Sequence, residues 1–556
     1  MLRLTELKLP LDHEPGALVP AIASRLGISP DDVLEHSLFR RGYDARRRGR
    51  ISLVYSLDLR LRDEAAVLER LAGDPQVSPS PDMEYRPVIA EAEGRRLAAR
   101  PGFRRPVVIG AGPCGLLAAL VLAQMGLRPL ILERGRIVRQ RTVDTFALWR
   151  RGVLDPESNV QFGEGGAGTF SDGKLWSQKS DPHHYRRKVL EEFVRAGAPE
   201  EILFISKPHV GTFRLVSMVE RIREHIEALG GEYRFGARVA EFQTAPSDEG
   251  GQRIAVLRMA DGAMLDADRV VLAIGHSARD GFAALRDAGV AMMAKPISIG
   301  VRIEHPQRLI DEARFGEQAG NPLLGAADYK LVHHTGTAVA GGSRGVYSFC
   351  MCPGGQVVAA TSEEGRVVTN GMSQYSRAER NANAGMVVGL TPDDYRPYAD
   401  GEDDPLAGIA FQRHWERQAF LAGGGDYRAP GQRVGDFLAG RASTTLGGVE
   451  PSYKPGVTPT DLALCLPPYV VAAMRDALPR FEQQIPGFAM ADAVMTGVET
   501  RTSSPVRVPR GADMQSTNTR GLFPAGEGAG YAGGIMTAGI DGIRVAEALA
   551  RSIAGT

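Results

Sequence analysis

Only four cysteines, Cys114, Cys350, Cys352 and Cys465, are spread over 556 residues, and none falls in a pair of CxxC units. That excludes a disulfide framework and a zinc ribbon, and a reducing compartment, the cytoplasm, is expected. Net charge is absent too: 66 Lys and Arg stand against 66 Asp and Glu, so no overall field draws the chain to nucleic acid or anionic lipid, although a local basic patch stays open. Residues 1–15 carry Arg3, Glu6, Lys8, Asp12 and Glu14 without an apolar stretch, so no secretory signal is expected. An unbroken membrane span is missing as well. Residues 106–127 hold no charge and reach the roughly 20 residues a bilayer requires. Gly110, Gly112, Pro113 and Gly115 cut them, however, into a short β-rich piece and an Ala/Leu-rich piece, which predicts a strand, a tight turn and a helix. His183-His184 and His333-His334 are chain neighbours rather than residues at metal-ligand spacing, and no metal is expected.

What is present is apolar content, 43% of the chain, and enough length for three or four domains at about 150 residues each. Residues 2–9 alternate like a half-buried strand, and residues 15–26 have helical spacing of Leu18, Ile22 and Leu26. Residues 33–39 and 51–59 read as strands, residues 64–71 as a helix and residues 83–87 as a further strand. This order suggests a small ferredoxin-like α+β module over residues 1–95. Residues 91–105 are polar and Arg-rich and read as a linker. Helical spacing returns at residues 212–229, and strands are expected at residues 233–242, 254–259 and 269–274. Beyond Pro296 a strand-rich lobe is expected, and the chain closes with a strand, a glycine loop and a helix over residues 534–553.

The pattern GxGxxG occurs three times in a glycine-rich chain, and context separates the copies. Only Gly110, Gly112 and Gly115 follow an apolar strand, open a helix and precede a second strand that ends in an acid, Glu133. Gly110 permits the tight turn, Gly112 lets backbone approach a pyrophosphate, and Gly115 lets helix and sheet pack closely. The helix start at Pro113 and Cys114 offers N–H groups to the anion. Glu133, with Arg134 beside it, is expected to accept from the adenosine ribose hydroxyls. NAD and FAD share this fingerprint.

The segment 521–530, GLFPAGEGAG, resembles the flavin-binding close of two-dinucleotide-binding flavoproteins. The resemblance implies FAD, with Gly526 and Glu527 at the ribityl chain and a last helix starting near Gly534 and Ile535 aimed at the flavin. Residues 270–275, VVLAIG, are similar to the ATG element of those proteins, with Ile274 at the usual Thr position and Gly275 as its glycine. Narrower matches are FGEGGAGTFSDGK at 162–174, KPHVGT at 207–212, RGVYSFCMCPGG at 344–355, VTNGMS at 368–373 and GVETRTSSPV at 497–506. Together they resemble the bacterial and plastid FAD-dependent dehydrogenase group, largely uncharacterised NAD(P)/FAD-dependent oxidoreductases. The resemblance implies an α/β fold: a Rossmann-type FAD-binding domain over 101–290 and 501–556, with a strand-rich α+β substrate domain inserted over 291–500. It places Gly165, Gly166, Ala167, Gly168 and Thr169 along the flavin and pyrophosphate, Val239 at adenine, and Asp172 and Lys174 at the isoalloxazine edge. A solvent-facing Lys174 after a turn is the competing reading.

Cys350 and Cys352 invite a redox disulfide, but the segment after the first βαβ unit, where disulfide reductases of this fold carry their pair, has no cysteine, and buried apolar thiols are expected. Substrate contacts are sought at Tyr347, Tyr453, Lys454, Arg501 and Ser503, with Arg501 and Lys454 suited to a carboxylate. The reaction expected is hydride exchange at flavin N5 with a small molecule. No second strand-GxGxxG-helix unit exists, so NAD(P)H would act as a transient reductant, or the electrons come from the substrate. A second reading gives Arg40, Arg41, Arg46, Arg47, Arg48 and Arg50 to RNA or a protein partner; a solvated hairpin connection is the favoured explanation, because the chain as a whole is neutral.

Overall fold

In strand Ser52–Leu61, Leu53, Tyr55, Leu57, Leu59 and Leu61 are buried at every second position, the period that turns one face of a strand to a core. The computed structural model, which describes residues 1–46, 50–248, 250–339 and 342–555, pairs this strand with Val33–Asp44 on one side and Leu2–Pro10 on the other. Strand Val77–Pro79 joins the outer edge of Leu2–Pro10, and all pairings are antiparallel. Helices Leu18–Leu26 and Glu64–Arg70 cover the face through Ile22, Leu26 and Val67. A bulge at Glu6, with φ 57°, slips the register between Leu4 and Leu7. Burial therefore passes from Leu2 and Leu4 to Leu7, as an inserted residue requires.

Two expectations for this region are corrected. Residues 83–87 form no strand; the fourth strand is Val77–Pro79 instead, because Pro81 and Pro87 bracket the later segment and remove ladder donors. The expected linker contains a helix, Glu91–Ala98, supported by pairing of Glu91 with Arg95 and Glu93 with Arg96. Its charge forms i,i+3 and i,i+4 pairs along the helix surface.

The second sheet is wholly parallel. Its order is Leu522–Pro524, Val270–Leu272, Val107–Ile109, Leu130–Glu133 and Glu232–Phe235. Helix Pro113–Gln124 is buried almost all round, because strands lie on one side and helix Ile535–Ala554 crosses the other. At that crossing a Cβ on Gly542 would stand 2.2 Å from the Cys114 carbonyl oxygen. The uncharged run 106–127 is thus a strand and a core helix. Among the described residues no helix is long and apolar enough to cross a membrane. The single strand expected over 233–242 is two, Glu232–Phe235 in the parallel sheet and Val239–Pro246 in a small separate sheet. Between them Gly236 takes φ 65° and redirects the chain.

Between the adjacent strands Val270–Leu272 and Leu522–Pro524 the chain builds a lobe around an eight-stranded sheet. Strand Ile297–Pro306 runs through its middle, between Asn381–Leu390 and Val494–Glu499. The lobe is strand-rich but not purely β: helices Ala407–Gly423 and Pro468–Gln484 each span 17 residues. The N-terminal module shares its apolar cluster with this lobe, and Tyr43 meets Phe315 edge-on at 5.6 Å.

Candidate functional site

A cleft of about 1020 Å³ opens where the parallel strands end, the position at which sheets of this kind receive ligands. Gly110 leaves strand Val107–Ile109 with φ 99°, and helix Pro113–Gln124 starts at the cleft wall. Helix Ile535–Ala554 starts at the same wall from Gly534. Two helix N-termini therefore bring unpaired N–H groups and positive dipole ends to one cavity, the setting an anionic ligand requires.

The second glycine pattern, Gly163, Gly165 and Gly168, packs onto the first. Gly165 N–H donates to the Ala111 carbonyl at 2.8 Å, and a Cβ on Gly166 would stand 2.7 Å from the Gly112 Cα. Arg141 clamps this loop from behind. Wholly buried, it donates to the carbonyl oxygens of Asn159, Val160 and Glu164 at 2.7–2.8 Å. Burial draws its guanidinium down to about 10, against the opposing pull of Glu133 and Glu164. Glu133 is engaged as well: Oε2 accepts from Ala111 N–H at 2.8 Å, and Oε1 accepts from Gly135 and Gly163 N–H at 2.9 Å each. The expected ribose acceptor thus first ties three loops together, leaving lone-pair capacity for one further donor. Arg134 packs its guanidinium over Phe162 at 3.9 Å and pairs with Glu157 and Asp280.

On the opposite wall, His276 Nδ1 lies 3.3 Å from Glu527 Oε1, while its buried Nε2 has no protein partner. Toward the lobe, Asp172 receives Arg377 bidentately at 3.0 and 2.6 Å and Lys174 at 3.2 Å. Burial would raise the Asp172 carboxyl, but Lys174 and Arg377 outweigh it and hold it at about 2. Lys174 also donates to the Met351 carbonyl. Burial opposes its charge, yet Asp172 keeps the ammonium above its ordinary range. Lys174 is therefore a fixed cation on the cleft wall, not a solvent-facing one.

Arg501 reaches the cleft wall, but its guanidinium donates to Glu416, Ser277 and Ser362. Glu416 also receives Arg279 at 2.6 and 2.9 Å. Two buried arginines around one buried carboxylate leave Arg501 matched within the protein. Tyr347 and Ser503 line a separate cavity of about 400 Å³, with Tyr347 Oη 2.5 Å from Ser298 Oγ. Tyr453 is buried and donates to the Tyr427 carbonyl at 3.0 Å, and exposed Lys454 lines neither cavity. The proposed substrate set is thus not brought together.

A protein of Clostridium beijerinckii, described only as uncharacterized, is 44% identical over 546 residues, 98% of each chain. The chain belongs to that protein's family. Within this family member, residues 296–502 match the model of the "FAD-dependent protein, C-terminal domain-like" family, and residues 1–60 match a domain of unknown function, DUF8436. Among solved structures, the flavin-dependent brominase Bmp2 is 13% identical over 81% of this chain and 80% of its own, with a TM-score of 0.35. An L-amino acid deaminase from Proteus myxofaciens is 13% identical over 82% and 91%, with a TM-score of 0.30.

Of the expected cofactor residues in this family member, Gly110, Gly112, Pro113, Cys114, Glu133, Arg134, Gly166, Ala167, Gly168, Lys174, Val239, Gly275, Gly526, Glu527, Gly534 and Ile535 line this one cleft. Gly115, Gly165 and Thr169 lie behind it, where Thr169 Oγ1 accepts from Arg141 at 3.3 Å. Sequence reasoning missed Arg141 behind the loop, and His276, Trp176 and Asn370 on the cleft wall. Only His276, directly after Gly275, carried a positional signal. In the arginine run, Arg40, Arg46 and Arg50 are exposed and Arg46 pairs with Asp44 at 2.6 Å. Arg41 is half-buried, its backbone bridged to Ile205. Arg47 and Arg48 lie outside the described residues.

Proposed function

We propose that the protein is an FAD-dependent oxidoreductase of a small molecule. The observation that carries this reading is the convergence of two helix N-termini and two interlocked glycine loops on one cleft large enough for a dinucleotide. The residues fit the group. The turn at Gly110 and Gly112 and the helix start at Pro113 receive a pyrophosphate, and Val239, Ala237 and Phe242 offer an apolar seat to adenine. His276 Nε2 is a buried polar atom awaiting a partner, and it stands beside Glu527 at the place assigned to the ribityl chain. FAD, when bound, supplies the capacity to accept or deliver a hydride.

The chain's own residues then do the rest. Lys174, held positive, offsets negative charge gained at its end of the cleft without moving. Asp172, itself gripped by Arg377, fixes that ammonium in place. The lobe, which matches the FAD-dependent family over 296–502, closes the far wall and limits water. The other two GxGxxG patterns supply glycines to this same cleft, so NAD(P)H acts in this reading as a transient reductant without a domain of its own. The test is an anaerobic visible spectrum of purified protein before and after NADPH and then NADH. A flavin spectrum supports the cofactor reading, and bleaching by one nicotinamide supports that reductant. No flavin after reconstitution with FAD overturns the proposal.

A further inference from the structure

Strand Gly345–Ala359 loses regularity where it passes the cleft. Its pairing with Asn381–Leu390 slips between Phe349 and Cys352, and Cys350 takes φ 41°, the left-handed region that a residue with a side chain enters only when its surroundings demand it. The irregularity places Cys350 in the cleft wall, half-buried, with Cys352 wholly buried behind it. The Cys352 thiol donates to the Cys350 carbonyl at 3.3 Å, so the second sulfur folds back toward the first residue. Two cations bracket the pair. Lys174 donates to the Met351 carbonyl and Arg302 donates to the Cys350 carbonyl at 2.9 Å.

These contacts separate the two thiols chemically. A hydrogen bond between the two thiol side chains, distinct from the one to the carbonyl, with Lys174 and Arg302 adding to it against burial and Asp172, carries the Cys350 thiol well below its ordinary value. That thiol–thiol bond and burial push Cys352 well above. Cys465 shows the contrast: burial, with the Asp461 charge adding to it, pushes its thiol up to about 12. A thiolate at the cleft with a thiol two residues away is the pairing that thiol–disulfide chemistry uses.

We propose that Cys350 and Cys352 form a dithiol–disulfide couple that exchanges two electrons with the flavin. The inference rests on the FAD reading above. In the oxidising direction the Cys350 thiolate and the Cys352 thiol join through a new S–S bond, and the Cys352 S–H bond breaks. Its proton and two electrons pass to FAD, giving FADH⁻, so atoms and charge balance with no further reactant. In the reverse direction the reduced flavin opens the disulfide. Lys174 and Arg302 are positioning residues here, and the pair stores a second electron pair beside the cofactor.

The test is an anaerobic dithionite titration of the holoprotein followed by alkylation and mass spectrometry of tryptic peptide 345–366, which contains both cysteines. The wild type is expected to take up about four electrons per flavin, two for each couple, and Cys350→Ser or Cys352→Ser about two. The peptide from oxidised wild type is expected to be two hydrogens lighter than the reduced one and closed to alkylation. A flavin-loaded wild type that takes up only two electrons, with both thiols alkylated in the oxidised state, overturns the couple and leaves the FAD reading standing. A spectrum without flavin overturns both, and the spectrum itself shows which failed. The wild type alone decides the matter if a variant does not fold.

Discussion

Gly166 and Gly112 meet backbone to backbone: a Cβ on Gly166 would lie 2.7 Å from the Gly112 Cα, and Gly166 holds φ 59°. A side chain here must push one glycine loop off the other and must also enter a conformation it resists. Gly166→Ala is therefore expected to lower flavin affinity at least tenfold, or about 1.4 kcal/mol, and Gly166→Val to abolish it. The ratio of flavin to protein absorbance after dialysis against graded FAD measures both. Undiminished flavin content would show that the loops do not form the cradle.

Glu416 tests the buried charges between sheet and lobe. It is wholly buried, and Arg279 and Arg501 hold its carboxyl far below the ordinary range despite burial. Glu416→Gln leaves two buried guanidinium groups without their shared counter-charge, and breaking such a pair costs about 3–5 kcal/mol. Urea unfolding is expected to show that loss, with Arg501→Lys falling between the variant and wild type. A change below about 1 kcal/mol would mean that water reaches this network.

His305 predicts the pH dependence. It is wholly buried, its Nε2–H donates to the Phe488 carbonyl at 2.7 Å, and burial lowers its imidazole to about 4 from an ordinary 6.5. The unfolded chain therefore binds more protons than the folded one between these values, and stability rises with pH across that window and is level above it. As pH falls from about 6.5 to 4, up to roughly 3 kcal/mol is lost through this group. Below that, Asp172 and Glu363, each held at about 2, add a second loss as they protonate. His209, likewise lowered to about 4 by burial and Arg377, acts in the same window, so His305→Gln is expected to reduce the upper step without removing it and to leave the lower one, as read from melting temperatures between pH 4 and 8.

Gly542 lies where the last helix crosses helix Pro113–Gln124, with 2.2 Å between its would-be Cβ and the Cys114 carbonyl oxygen. Gly542→Val is expected to separate the helices and to cost about 1–3 kcal/mol, visible as a lower melting temperature. Flavin affinity should fall with it, since both helices begin at the cleft.

Replacing Arg40, Arg46 and Arg50 by serine separates the arginine-run reading from the flavin reading. All three are exposed, so flavin content and stability should stay within about 0.5 kcal/mol of wild type. Salt-dependent binding to a single-stranded RNA probe, if wild type shows it, should weaken; binding that persists would place the contact elsewhere.

The glycine-lined end of the cleft was legible because its signals are local. Gly110, Gly112 and Gly115 sit at fixed offsets between a strand and a helix, and backbone geometry demands glycine at Gly110, with φ 99°, and at Gly115, whose Cβ would stand 1.9 Å from the Gly110 carbonyl oxygen. The first module's alternation was equally local, and the bulge at Glu6 cost only its phase. The substrate end was not legible. Arg501 looked like a carboxylate binder until the fold brought Glu416 to it from 85 residues away, and Tyr453 found its acceptor in Tyr427. Lys174 and Met351 meet across 177 residues, a pairing no spacing encodes. The helix Glu91–Ala98 was hidden by its charge, since surface ion pairs support a helix without an apolar stripe.

The insertion of the lobe between neighbouring strands has a temporal side. Val107–Ile109 and Val270–Leu272 leave the ribosome early, yet their sheet neighbour Leu522–Pro524 and the second helix N-terminus at Gly534 come only after the whole lobe. Domains made of contiguous chain close as they are synthesised; this one waits with one sheet edge and one cleft wall missing. Closure of the cleft is therefore a late event, and the face of the uncharged helix Pro113–Gln124 that packs on the last helix stays bare until that helix arrives.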